Sequence, residues 1–387
     1  MRKASVVIVG AGIMGASAAW HLAARGWRDI LLLDRSPGPG EGSTGKATGG
    51  FRAQFETAVN VRLSLLSRAA LRSFPEEIGV DSGYRPFGYL WIARHPAQME
   101  ALAAARRVQH AEGLHEAAAV TPGDIARINP AVSPEGILGG AFCPTDGFLR
   151  ARAMLDGYLA AAARLGARVE WGVEVTGFAR DAEGRIATVR TVKESIAAGA
   201  VVNAAGAWAA ETARAAGIDL PVAPLRRQVA LTAPTDLLAE EMPMTIFLED
   251  GFHLRVRDGR VLLLRPTPGV PGRPLETTVD DDWVREVAAT GVERVPVLRN
   301  VPVDRSACWA GLYEMSPDRH AILGRAPGCP NLFLINGSSG HGVMHAPALG
   351  LLLAEILSDG RARTIDATPL DPDRFAAATG AKPAGLL

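Results

Sequence analysis

The chain has 387 residues, 48% of them hydrophobic, with 41 basic against 41 acidic side chains. That balance excludes the basic stripe of a nucleic-acid binder and the polybasic face of a membrane-surface protein. Three widely spaced cysteines (Cys143, Cys308, Cys329) exclude a disulfide framework or a cysteine metal cluster, and the length predicts more than one domain.

Taken in chain order, the first expected element is a strand over the apolar, β-branched run Ala4–Val9. It ends in Gly10-Ala11-Gly12-Ile13-Met14-Gly15, a G-x-G-x-x-G. A helix is predicted over Ala16–Arg25, then a strand over Ile30–Leu33 closing on Asp34. This strand, glycine turn, helix, strand, acid order predicts dinucleotide binding. Gly10 permits the turn, Gly12 lets a pyrophosphate approach the backbone, and Gly15 lets the helix pack on the strand. The helix N-terminus offers unpaired N–H groups to the phosphates. Asp34, 19 positions after Gly15, can take the ribose hydroxyls. A basic start followed by an apolar run imitates a signal peptide, but the glycine fingerprint stands where cleavage would fall. No 18-residue apolar stretch is read, so no membrane span is predicted, and a cytoplasmic enzyme is the expectation.

A loop follows from Ser36 to Gly50, then helices over Thr57–Phe74 and Pro96–Glu112 about a strand at Phe87–Ile92. A helix at Ala151–Leu165, stopped by Gly166, leads to strands at Arg168–Trp171 and Ala200–Asn203. From Val222 to Leu264 the pattern is β, with strands at Val229–Thr232, Thr245–Leu248, Phe252–Val256 and Val261–Leu264. Asp258-Gly259 marks a hairpin. A last strand, Asn331–Asn336, and a helix, Gly342–Leu357, close the pattern. Strands of the nucleotide fold thus recur near 170, 200 and 333 with β-rich material inserted. A nicotinamide dehydrogenase usually keeps such strands contiguous; dispersal suits FAD, which is long enough to span two domains.

Four further motifs stand in order: Gly42-Ser43-Thr44-Gly45-Lys46-Ala47-Thr48-Gly49-Gly50-Phe51-Arg52, Val202-Asn203-Ala204-Ala205-Gly206-Ala207-Trp208, Ala310-Gly311-Leu312-Tyr313-Glu314-Met315-Ser316-Pro317-Asp318, and Asn336-Gly337-Ser338-Ser339-Gly340-His341-Gly342-Val343-Met344-His345. With them the chain, from Val6 to about Leu357, resembles the D-amino-acid-oxidase-like FAD oxidoreductases, nearest the β-subunits of sarcosine oxidase and L-proline dehydrogenase. The resemblance implies an α/β fold. An FAD-binding Rossmann-like domain of glutathione-reductase type (1–84, 146–219 and 316–387) would carry an inserted, mainly antiparallel β-sheet substrate domain (85–145 and 220–315).

It also implies cofactor contacts at Gly10, Gly12, Ile13, Met14, Gly15, Asp34 and Arg35. In the loop, Ser43 and Thr44 offer hydroxyls to the pyrophosphate beside Lys46, Ala47 and Thr48, and Gly49 and Gly50 let backbone lie against a flat ring; an ordinary surface loop is the alternative. Val175 matches the position that meets adenine. Ala205, Gly206 and Trp208 follow a strand closely enough to lie under the ribose and pyrophosphate, or simply to pack the core. At Gly337, Ser339, Gly340, His341, Gly342, Val343 and Met344, glycine amides and a helix dipole would face the flavin N1–C2=O edge, where the reduced ring carries its charge. His341 either adds to that field or caps the helix.

The family's chemistry, by resemblance, is hydride transfer from a carbon beside an amine to flavin N5. Arg52 is the expected clamp for a substrate carboxylate, helped by Tyr313 and His253, with Arg255 and Arg265 in reserve. Tyr313 stands where glycine-oxidase relatives place an arginine. Gly311 stands where monomeric sarcosine oxidase has the cysteine that links FAD, so FAD is expected to be non-covalent. Met344 replaces the lysine that promotes oxygen reduction there, which favours a dehydrogenase. The expected partners are a small amino-acid substrate (sarcosine, proline or glycine-like) and an electron-transfer subunit in a hetero-oligomer. An NAD-dependent dehydrogenase and a flavin-binding assembly protein without turnover are the rival readings.

Overall fold

The computed structural model describes residues 2–266 and 275–375. Parts of two expected domain segments, 267–274 and 376–387, lie outside the described residues. Two eight-stranded sheets carry the fold.

The first sheet runs Ile322–Arg325, Leu332–Asn336, Ser195–Asn203, Arg2–Val9, Ile30–Asp34, Arg168–Trp171. Its four inner pairings are parallel, so the strands expected near 170, 200 and 333 do join the first two. Val6, Val7 and Ile8 are fully buried, as in a parallel sheet covered on both faces. Helices Ile13–Ala24, Ala58–Arg72, Ala151–Arg164 and Gly342–Asp359 pack together on one side. Helix Ile13–Ala24 begins three residues earlier than expected, because Gly12 is already its cap. A hairpin of Val175–Arg180 and Ile186–Thr191 extends from Ser195–Asn203; mixed polarity along it hid its period.

Helix Gly342–Asp359 is long and apolar enough by length and composition to cross a membrane. That corrects the reading that no such stretch exists. Here it is an interior helix: Ser17 Oγ donates to Ala346 O at 2.7 Å, and a Cβ on Gly350 would lie 2.2 Å from that hydroxyl.

The second sheet runs Trp309–Met315, Ala223–Leu231, Arg260–Leu264, His253–Arg257, Met244–Phe247, Tyr89–Ala93, Gly139–Cys143, Ala118–Val120. Every pairing is antiparallel except Met244–Phe247 with Tyr89–Ala93. Trp283, Val284 and Val287 of helix Asp281–Arg294 bury against it. Asp258 and Gly259 turn the expected hairpin with φ of 55° and 68°, the left-handed pair a tight hairpin needs. Strand Gly139–Cys143 was not legible because two glycines open it. They are required, since a Cβ on Gly140 would lie 2.0 Å from Trp91 O.

Burial holds three histidines far below their ordinary range: His21 and His345 to about 3, His253 to about 4. The unfolded chain protonates them near 6.5, the folded chain only below 4, so stability is present above 6.5 and is lost as pH falls toward 4. Each contributes up to about 1.4 kcal/mol per pH unit in that window. The melting temperature is expected to drop between pH 6.5 and 5, less steeply than the three imidazoles alone would give, because the raised Asp146 and Glu314 carboxyls take up protons on folding in the same window with the opposite sign. A flat melting profile across that range, measured by calorimetry, would count against neutral buried imidazoles.

Candidate active site

Between the sheets lies a cavity of about 1260 Å³. Its long end starts at the fingerprint. Gly10 has φ of 102°, and a Cβ there would lie 2.4 Å from Ala204 O. Gly15 is not part of the wall; it stands behind, where a Cβ would lie 1.9 Å from Gly10 O. Gly12, Ile13 and Met14 line the cavity. Asp34 accepts from Ala11 N and Ser36 N, both at 2.8 Å, so it pins the turn as well as offering its remaining lone pairs. Arg35 lies flat on Trp208, 3.9 Å from the ring centroid. Together with Val175, Ala205 and Gly206 this pair walls the far end.

The loop before Arg52 lines the cavity, Ser43 and Thr44 included, and both hydroxyls also make bonds within the protein. Ser43 Oγ donates to Leu312 O at 2.6 Å, away from the turn, and Thr44 Oγ1 accepts the Ile13 N–H at 3.1 Å. The two hydroxyls fasten the loop. Lys46 O accepts from Trp309 Nε1; Ala47 and Thr48 complete this wall. Gly49 and Gly50 line the cavity, yet the close approaches they allow are to protein: a Cβ would lie 2.4 Å from Leu149 O and 2.0 Å from Tyr89 Oη respectively.

At the short end, Arg52 is 4% exposed. Its Nη1 donates to Gln54 O at 3.0 Å and its Nη2 to His341 Nε2 at 3.2 Å; Phe55 and Trp91 flank the guanidinium at 4.1 and 5.0 Å. Burial lowers it to about 10, so it stays a cation, poorly hydrated and strong toward a carboxylate. Asp146, which the sequence reading missed, holds the segment: it accepts from Ala53 N at 2.7 Å and from Gln54 N and Nε2 at 3.3 and 3.1 Å. Burial pushes its carboxyl up to about 6 against those donors.

His341 Nε2 meets the Arg52 guanidinium and accepts from it, the role open to a neutral ring. Arg52 and the helix N-terminus bring positive charge to the same place. Ser339, Gly340, Gly342, Val343 and Met344 line the cavity, whereas Gly337 stands behind, against Ile322 and Ser316.

His253 Nδ1 donates to Gly251 O at 2.8 Å, leaving Nε2 bare. Tyr313 lies on Gly340, where a Cβ would be 2.4 Å from Cε2. Its 36% exposure is cavity wall. Of the reserve arginines, Arg255 is not part of the wall: it donates to Thr48 O, Gly49 O and Val256 O and lies 3.5 Å from the Phe148 centroid. Arg265 lines the cavity, ion-paired with Glu286 at 2.6 Å. Arg227, unread in the sequence, does line it, 5.6 Å from the Tyr313 centroid. Extending the strand predicted at Val229 by one alternation would have put Arg227 on the same face as Val229.

The family described as FAD dependent oxidoreductase matches residues 5–356. The chain belongs to this family. It is an FAD-dependent enzyme of the class acting on CH–NH bonds. It is 28% identical to a glycine oxidase of Geobacillus kaustophilus (strain HTA426) over 91% of this chain and 92% of that one. It is 29% identical to the mitochondrial dimethylglycine dehydrogenase of Mus musculus over 96% of this chain, which spans 44% of that relative's length. The crystal structure of L-proline dehydrogenase from P. horikoshii superposes with a TM-score of 0.87 at 27% identity, covering 97% of this chain and 98% of that one.

The cavity fits the family's cofactor. A Cβ would fill the turn at Gly10, the N-terminus of helix Ile13–Ala24 opens on the cavity at Gly12, Ile13 and Met14, and Glu314 Oε2 is buried at the wall without a hydrogen-bond partner. Gly311 lines the cavity, and a side chain there would meet Lys46 Cβ at 2.8 Å. Cys308 is absent from the wall, its thiol donating to Asp304 O. Acid precipitation is therefore expected to release all flavin into the supernatant. Flavin fluorescence retained on the band of a denaturing gel would contradict this.

Proposed function

We propose that this enzyme oxidises the C–N bond of a small amino acid carrying a secondary amine, as a dehydrogenase rather than an oxidase. The carrying observation is Arg52, a desolvated cation at the short end of the cavity, opposite the long end built for the dinucleotide. FAD supplies the two-electron acceptor. Arg52, with Tyr313 beside it, holds the substrate carboxylate and so fixes which C–H bond faces the ring. His253 Nε2, unprotonated, accepts the amine N–H. Its low basicity suits it to orient a neutral amine rather than to store a proton. Trp91 and Ile246, both almost fully buried, exclude water from the reacting carbon. Residues 1–84, 146–219 and 316–387 are read as the FAD domain and the remainder as the substrate domain.

Met344 supports the dehydrogenase assignment: it is 7% exposed, in the first turn of helix Gly342–Asp359, and brings no cation to stabilise reduced oxygen. Substrate-reduced enzyme is expected to be reoxidised faster by an artificial dye than by oxygen, read by stopped flow at the flavin band. Rapid return with oxygen, one peroxide per turnover, would make it an oxidase. The substrate class is tested by anaerobic bleaching with sarcosine, dimethylglycine, L-proline, glycine and D-amino acids. No bleaching by any of them would favour a flavin-binding assembly protein.

A further inference from the structure

Behind the turn at Gly337–Gly342 lies a polar cluster that the reading above does not use. Glu314 is on strand Trp309–Met315, one residue past Tyr313, and its backbone carbonyl accepts from Ser339 N at 3.0 Å. Its side chain curls onto the turn, where Oε1 accepts from Ser338 N at 3.4 Å. Oε2 is buried with no hydrogen-bond partner, as are both side-chain atoms of Asn336, which ends the strand feeding the turn. Ser338 Oγ is a fourth such atom, so among the described residues four of the nine buried side-chain atoms without partners sit at this one place. Buried polar atoms are ordinarily paired, so this concentration marks a place that a purely structural carboxylate would not need. Glu314 and Ser338 both line the cofactor cavity.

A carboxylate here opposes the turn. The Gly340–Gly342 amides and the N-terminus of helix Gly342–Asp359 present positive charge to the cavity. An ionised Glu314 at the back of the same turn cancels part of that field, and a protonated one leaves it intact. Burial pushes the Glu314 carboxyl up to about 7 against the pull of the Ser338 and Gly337 amides. The charged and titratable groups on the elements packed about it are Arg226 and Arg227 on the paired strand, Lys46 on the loop, Asp318 and Arg319 past the strand, Tyr313 beside it, and His341 on the turn. None of them outweighs burial and those bonds.

We propose that Glu314 is a proton-coupling residue for the flavin: its carboxylate takes one proton from solvent each time the cofactor receives two electrons, so that the negative charge arriving on the ring does not face a second one behind the turn. This rests on the FAD reading and adds to it. The balance is two electrons and one proton to the ring, which the variant shares, and one further solvent proton to the carboxylate, giving one carboxylic acid. The sign follows. Well below pH 7 Glu314 is protonated before reduction and nothing couples. Above pH 7 it is ionised before reduction and protonated after it, until pH exceeds the value that the reduced ring imposes.

The test is the two-electron midpoint potential of the purified holoenzyme from pH 5.5 to 9, against Glu314→Gln, which keeps the shape and cannot ionise. The wild type is expected to bend near pH 7 and fall about twice as steeply above it as the variant, which falls with one slope throughout. Parallel profiles overturn the proposal. If Glu314→Gln does not retain FAD, the wild-type profile decides alone, a straight line from pH 5.5 to 9 overturning the proposal. A wild type that purifies without flavin and binds none would instead remove the FAD reading itself.

Discussion

Gly15→Ala is expected to yield a protein that melts lower and carries no FAD. The Cβ would lie 1.9 Å from Gly10 O and 3.2 Å from Ile8 Cγ2, and backbone cannot step aside as a side chain can. Helix Ile13–Ala24 would have to lift off strand Arg2–Val9, which both loosens the core and moves the first-turn amides away from the phosphates. Overpacking of this kind costs about 1–3 kcal/mol, occasionally more. Gly12→Val separates the two effects. A Cβ on Gly12 meets only Thr44 Oγ1, at 3.4 Å, so the apoprotein should melt close to wild type while FAD affinity falls. Flavin-to-protein absorbance ratios and apoprotein melting curves check both. A Gly15→Ala protein with wild-type melting and full FAD would refute the packing argument.

Arg52→Ala is expected to lower kcat/KM by about one to two orders of magnitude, the worth of a charge-assisted clamp of about 1.5–3 kcal/mol. It should also lower stability, because Gln54 O and His341 Nε2 lose a donor and the Asp146 carboxylate loses a nearby positive charge. Arg52→Lys keeps the charge but cannot span both partners, and should recover stability better than turnover. Dye-coupled kinetics on the best substrate of the panel, with melting curves alongside, read the two effects apart. Unchanged kcat/KM in FAD-loaded Arg52→Ala would pass the carboxylate to Arg227.

Much of this was legible because the strongest signals were local. The fingerprint, the run of Ile30–Leu33 and the strand before Asn336 each carry their own pattern, and their parallel pairing follows from burial on both faces. What stayed hidden depends on contacts distant in sequence. Asp146 sits in a short Pro-Thr-Asp-Gly turn and has meaning only through Ala53 and Gln54, far earlier in the chain. Arg227 was hidden by a strand edge placed six residues late. Arg255 stood as a reserve clamp because nothing local shows that its guanidinium is filled by Thr48 O and Gly49 O. The hydroxyls of Ser43 and Thr44 were expected at the cofactor; both residues line the cavity, and both also fasten the loop that carries them, which no local pattern shows.

The dispersal of the parallel sheet also has a consequence for synthesis. Strand Arg2–Val9 leaves the ribosome first, but its neighbour Ser195–Asn203 emerges only mid-chain, and Leu332–Asn336 must then pair with that neighbour. The sheet cannot close until Leu332–Asn336 has been made, so the first two strands wait with an unpaired edge that is apolar from Val6 to Val9. Such non-local pairing folds slowly and is prone to aggregate while it waits. Yield should therefore respond to growth temperature and chaperone supply more than to the stability of the finished enzyme.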